Sequence, residues 1–347
     1  MRSLILLCLA GLFASLLIST PAHAATISED NFAMAARYSR THGGLGIRVE
    51  QGGRLLFEDY IRGFSADTPH RIYSGTKSFV AIGVLVAEEE GLLTLDEKAS
   101  DTLTEWRGDR RRSITIAQLL SQTSGLDPDG GYIYPARDQM AAALDVPLIA
   151  SPGAQFHYGA VNYQALGELL KRKLRPRDES IEDFLKDKVF DPLDIDIDSW
   201  THDRAGNPLV HSGIYLTAKQ WAKLGAFLNR VRQGGTTHVI TPPLLAQLLT
   251  GSEANPAYGR GFWLNRPPPD PQLQSIKVLQ LAIDGDQLYP GGPRDLFACI
   301  GSEKQRLYMI PSLDLVVVRF GVETSFSDGD FLSRLLTGTP HPDARSH

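Results

Sequence analysis

The sequence predicts an α/β (α+β) fold: an antiparallel sheet drawn from both ends of the chain, flanked by helices, with a mostly helical lobe inserted. Three observations carry this expectation. Apolar residues alternate near 45–61, as in a pair of strands. A second apolar pair falls at 306–320, and the segments between read mostly with helical period. The 347 residues are 42% hydrophobic and 22% charged, which suits a globular core and excludes a disordered, collagen-like or coiled-coil chain.

In chain order, residues 1–24 read as a secretory leader to be removed. Arg2 supplies a positive start, Leu4 to Ile18 an apolar run, and Ala22-His23-Ala24 a small-x-small cleavage site. The run is short for a bilayer span, so no stable membrane anchor is expected after cleavage. Leu7 stands before Cys8 where a lipoprotein signal needs a small residue. The expected location is therefore periplasmic or secreted. Loss of Arg2 makes the mature chain one unit more negative than the full-length −5 and leaves Cys299 as its single thiol. No internal disulfide can then form.

The domain is expected over 25–338, with an α/β lobe near 27–75 and 255–338 and a helical lobe near 76–254. A disordered tail is expected over 339–347. Ser28 can cap a helix over 28–40, whose first turn carries Glu29 and Asp30. Leu45, Ile47 and Val49 alternate with Gly46, Arg48 and Glu50, a half-buried strand that turns at Gln51-Gly52-Gly53 and returns over Arg54–Ile61. Helices are expected at 76–90, 115–121, 162–174, 180–189, 217–231 and 242–249. The Pro- and Gly-rich stretch 266–293 reads as a long irregular loop that is either functional or a plain surface insertion. Strands follow at 306–310 and 313–320; Leu315-Val316-Val317-Val318 does not alternate and should be buried on both faces. Ser327 or Asp328 caps a last helix.

Several chemistries lack their residues. A modest negative charge gives no field for nucleic acid, and no such partner is expected. The chain has no Gly-x-Ser-x-Gly, phosphate-binding P-loop, Gly-x-Gly-x-x-Gly or His-Glu-x-x-His, and its nine histidines are scattered. Neither a metal nor a cofactor is expected.

One candidate remains, Ser74-Gly75-Thr76-Lys77, followed by the apolar run Phe79–Ala87. That run is apolar all round, so the helix it forms should be buried. Ser74 and Lys77 are three apart and can share a face. A serine hydroxyl needs a base before it attacks a carbonyl. Burial and a helix N-terminus both disfavour a lysine cation, so Lys77 is suited to be that base. The plainer alternative makes Ser74 a helix cap and Lys77 a solvated side chain. A second candidate is Tyr158, which leads into the helix at 162–174 and could share proton transfer. A nearby cation would favour its phenolate. His157 points away from it in an extended segment and reads as structural.

Ser74-x-x-Lys77 with Tyr158 resembles the serine β-lactamase and penicillin-binding-protein superfamily, in its class C β-lactamase-related branch of esterases, D-amino-acid peptidases and nylon-oligomer hydrolases. The resemblance spans residues 45–321. It includes Gly91–Asp96, Ile114–Leu126 with its Ser124-Gly125-Leu126, Tyr258–Trp263 and Leu307–Pro311. It implies a β-lactamase/transpeptidase-like fold and an acyl-enzyme on Ser74, with Lys77 and Tyr158 moving the proton. It also implies an oxyanion hole from the backbone N–H groups of Ser74 and Ser302, each donor worth about 3 kcal/mol. Gly301 would let substrate approach the backbone closely.

Two positions depart from the family pattern. Its Tyr-x-Asn reads Tyr158-Gly159-Ala160, and its basic residue-Thr-Gly reads Cys299-Ile300-Gly301. Ala160, Cys299 and Gly301 are therefore the expected substrate-binding positions, with Cys299 either a thiol at the site mouth or a small buried hydrophobe. Both losses point away from carboxylate-bearing amides and towards a small-molecule ester or amide. The expected activity is an exported serine hydrolase. A D-stereospecific peptidase or weak β-lactamase is the alternative enzyme, and a catalytically silent binding protein the alternative of another class.

Overall fold

The computed structural model describes residues 27–235, 237–267, 287–322 and 325–342. The expected leader, residues 268–286 of the irregular loop and residues 343–347 of the tail lie outside the described residues.

A six-stranded antiparallel sheet has the order β2-β1-β9-β8-β7-β6. Its strands are β1 (Gly44–Gln51), β2 (Arg54–Tyr60), β6 (Trp263–Leu264), β7 (Phe297–Gly301), β8 (Gln305–Ile310) and β9 (Leu315–Gly321). The first strand of the chain thus pairs with the last, Val49 opposite Val317. Helix α1 (Glu29–Thr41), capped by the Ser28 hydroxyl, packs against α9 (Asp328–Thr337), capped by Ser327.

The strands divide the core by simple alternation. Tyr308, Ile310, Leu315 and Val317 face the layer containing Phe32 of α1 and Phe331 of α9. Leu307, Met309, Val316 and Val318 face the opposite layer, with Trp221, Leu224 and Leu228 of α7 (Ala218–Arg232). Each fully buried side chain of this kind contributes about 1.5–3 kcal/mol. Strand β1 is covered on both faces, where its alternating pattern predicts one, because α1 and α7 both pack on it. Its charged positions tolerate this by pairing: Arg48 bonds Glu50 at 2.6 Å and Glu58 at 2.7 Å.

Helix α7 also corrects the lobe boundary. It packs on β8 and β9, so it belongs to the sheet's second layer and not to an inserted lobe reaching 254. The helical lobe proper holds α2 (Thr76–Glu89), α3 (Ile116–Leu120), α4 (Gln139–Ala143), α5 (Val161–Leu174) and α6 (Ile181–Leu185). Helix α8 (Pro242–Leu248) packs on α7 and α2. Every residue of α2 from Thr76 to Ala87 is buried, as its uniformly apolar run requires. The helix expected over 180–189 is α6 continued by a wider turn with π hydrogen bonding, Lys186–Phe190.

A small sheet, order β3-β5-β4, joins β3 (His70–Arg71), β4 (Ser199–Trp200) and β5 (Ile214–Leu216). Strands of two or three residues leave no periodicity to read. This sheet nevertheless positions the site, because it brings residues 211–214 beside the segment that precedes Ser74. Residues 339–342, expected to open a disordered tail, are held against α9: His341 N–H donates to Asp330 Oδ1 at 2.9 Å. Among the described residues no helix is long and apolar enough to cross a membrane.

Candidate active site

Ser74 sits in a single 3-10 turn, Tyr73–Gly75, immediately before α2. It does not cap that helix: Gly75 is the N-cap, with no side-chain cap bond. The Ser74 hydroxyl instead meets Lys77, whose Nζ donates to Ser74 Oγ at 3.0 Å and to the His211 carbonyl at 3.0 Å. Lys77 is 2% exposed, so it is not a solvated first-turn side chain. Burial lowers its pKa to about 7. Its Nζ lies 4.9 Å from the Tyr158 ring centre and 5.5 Å from that of Tyr163.

Tyr158 completes the group. Its hydroxyl lies close enough to the Ser74 side chain to be influenced by it, and its ring lies 5.3 Å from Trp263 and 5.7 Å from Tyr258. Burial pushes its pKa up to about 12. This overturns the expectation that a cation would favour the phenolate. The nearby amine is itself pushed towards neutrality, so desolvation decides and Tyr158 stays a hydroxyl.

The loop bearing Tyr158 is fixed by Gln122, which sequence reasoning passed over. His157 N–H donates to the Gln122 carbonyl at 2.9 Å, and the Gln122 amide bonds both the carbonyl and the N–H of Gly159. Gln122 Oε1 also accepts from Asn162 Nδ2 at 2.9 Å, and Ser124 Oγ donates to Asn162 Oδ1. Gln122 has φ +61°, an unusual value for a residue with a side chain. The only signal in the sequence was its place two residues before Ser124-Gly125-Leu126. His157 is buried beside this network and takes no part at Ser74, as the extended segment implied.

Strand β7, expected to supply the second oxyanion N–H, ends against the turn that holds Ser74. A Cβ on Gly301 would lie 2.1 Å from the Ile72 carbonyl oxygen. Gly301 is therefore required by close approach of the protein's own backbone, where the sequence suggested approach of a substrate. Ser302 follows, exposed, while Ser74 is partly exposed. Arg306, 1% exposed, donates from Nη1 to the Gly301 carbonyl at 3.2 Å and pairs with Asp328 at 2.6 Å.

Two expected substrate contacts are not at the cleft. Cys299 is completely buried, and burial pushes its thiol up to about 12 against a small opposing effect of the Ser78 hydroxyl; it is a core residue and not a thiol at the mouth. Ala160, 5% exposed at the N-cap of α5, adds a methyl group to the core and offers a ligand no polar atom. Among the described residues no three His, Cys, Asp or Glu side chains converge as metal ligands.

The arrangement can take a proton from Ser74 Oγ, hold it on an amine, and hand it on through a phenol. A family model described as Beta-lactamase matches residues 30–320. A putative beta-lactamase from Bacteroides dorei superimposes with a TM-score of 0.69 at 17% identity, covering 90% of this chain and 99% of that one. A putative 6-aminohexanoate-dimer hydrolase from Bacillus anthracis gives 0.66 at 15% identity, covering 88% and 77%. At these identities the likeness is one of fold. "Protein flp" of Staphylococcus aureus (strain MW2) is 28% identical over 139 residues, 37% of this chain and 27% of that protein. The chain thus matches only about a quarter of that relative's length.

Proposed function

Because the chain belongs to the beta-lactamase family of serine hydrolases, we propose that it cleaves a small ester or amide through an acyl-enzyme on Ser74. The observation that carries this reading is the 3.0 Å contact between Ser74 Oγ and a buried Lys77 amine whose pKa is about 7. Neutral Lys77 takes the Ser74 proton as Oγ attacks the carbonyl carbon. The carbonyl oxygen becomes an oxyanion facing the Ser74 and Ser302 N–H groups. Tyr158 passes its proton to the leaving oxygen or nitrogen as its bond to the carbonyl carbon breaks, and takes in its place the proton held on Lys77, which leaves both groups ready for the next step. Water then attacks the acyl-enzyme, the same groups take its proton, and the acid leaves with Ser74 restored.

Esters and apolar amides are favoured over peptides and β-lactams. Ala160 brings no amide to a substrate amide, and β7 offers a buried thiol where a carboxylate-binding pair is expected. Tyr134, well exposed, has its ring 6.1 Å from that of His211, whose carbonyl holds Lys77, and so places an aromatic face near the rim. The test starts with protein recovered from the periplasm or medium, whose N-terminus is expected at Ala25. A fluorophosphonate should add to Ser74, as read by peptide mass spectrometry. Turnover of p-nitrophenyl butyrate should exceed that of nitrocefin and of D-amino-acid amides. Folded protein that takes no label, or prefers nitrocefin, would refute the reading.

A further inference from the structure

The residue before Ser74 and the residue after Ser302 are bonded to each other. Tyr73 Oη donates to Glu303 Oε1 at 2.6 Å, a short charge-assisted bond. Both residues lie in the left-handed region, Tyr73 at φ +46° and Glu303 at φ +56°, and Lys304 follows at +60°. None is a residue type that favours this region, and such strain persists only where the surroundings over-determine it. The surroundings here do so. Arg71 lies over the Tyr73 ring at 4.9 Å. On the other side, the Gly301, Glu303 and Lys304 carbonyls accept from Arg306, Gln305 and Arg319.

We propose that the Tyr73–Glu303 bond is a latch that sets the separation of the two oxyanion N–H groups. This rests on assigning those groups to Ser74 and Ser302 in the function proposed above. The geometry explains why the strain is kept. A hairpin turn with two left-handed residues is a stiff unit, and so is the 3-10 turn at Ser74. The latch joins one to the other by side chains, one residue away from each donor. Tyr73 and Glu303 are positioning residues: neither touches the reacting atoms, and both act through the placement of their neighbours. Burial and the Glu303 carboxylate push the Tyr73 hydroxyl up to about 12, so it stays a donor across the working pH range.

Both residues are only partly buried, so their variants should fold. Tyr73→Phe removes the donor and Glu303→Ala the acceptor. Each is expected to lower kcat on p-nitrophenyl butyrate by about 10- to 100-fold, the scale of a displacement near 1 Å, with KM within about twofold. The double variant should be no worse than the poorer single one, because either change opens the same bond. Glu303→Gln keeps an acceptor and should recover most of kcat. A purely structural bond predicts a lower melting temperature with kcat unchanged, and that result overturns the latch. Wild-type turnover with an unaltered Tyr73→Phe also overturns it while leaving the hydrolase reading intact. A wild-type protein with no turnover removes both.

Discussion

An ammonium group at Lys77 exchanges its water shell for one carbonyl, one hydroxyl and two ring faces. Each cation–π contact returns about 0.5–2 kcal/mol, against a desolvation cost of several kcal/mol for a buried ion. Desolvation wins, and the pKa falls to about 7. With the neutral amine as the proposed base, kcat/KM should rise with pH through an apparent pKa near 7 and then level off. A profile flat from pH 5 to 9 would refute the assignment. The same shift has a cost in stability. In the unfolded chain the amine titrates near about 10.4, so the penalty is complete below pH 7 and fades as pH rises towards that value. Lys77→Met should abolish turnover yet raise stability by about 0.5–2 kcal/mol at pH 6, with the gain shrinking by pH 10. Chemical unfolding at the two pH values checks this. Ser74 and Lys77 were legible in the sequence because they are neighbours on one turn. Gln122 and Glu303 were not, because their roles exist only across long-range contacts.

At the scale of elements, the site depends on how closely β7 can lie against the turn before α2. The contact is backbone to backbone, between Gly301 and the Ile72 carbonyl. Neither partner can swing aside as a flexible side chain would. Gly301→Ala should therefore push the strand outward, lowering stability by about 1–3 kcal/mol and kcat by about 100-fold. A variant with wild-type kcat would show that the spacing does not matter. The helices and long strands were legible because each carries its own period. The short strands β3, β4 and β5 were not, since pairing rather than pattern defines them. Of the two readings of Cys299, the small buried hydrophobe is the one the structure bears out: the motif gave its position along β7, while its buried surroundings come from α2.

Across the whole molecule, the sheet and the site share one buried ion pair. Asp328 accepts from Arg306 Nε and Nη2 and from Tyr308 Oη, and Arg306 reaches on to the Gly301 carbonyl. Asp328→Ala breaks the pair and should cost about 3–5 kcal/mol in urea unfolding; a loss under about 1 kcal/mol would contradict this. The overall architecture was legible because both chain ends carried strands and the middle carried helices. The place of α7 in the sheet layer was not, since an amphipathic helix does not say which surface it will cover.

The pairing of β1 with β9 has a consequence in time. A ribosome makes Ser74 early and Ser302 late, and β1 has only β2 beside it until residues 315–321 appear. Closing that sheet joins segments far apart in the chain, which is slow compared with local helix formation. Under the proposed mechanism, a half-made chain would therefore carry Ser74 with nowhere for the oxyanion to rest. Reactivity arrives with the last strands, as a property of the finished chain.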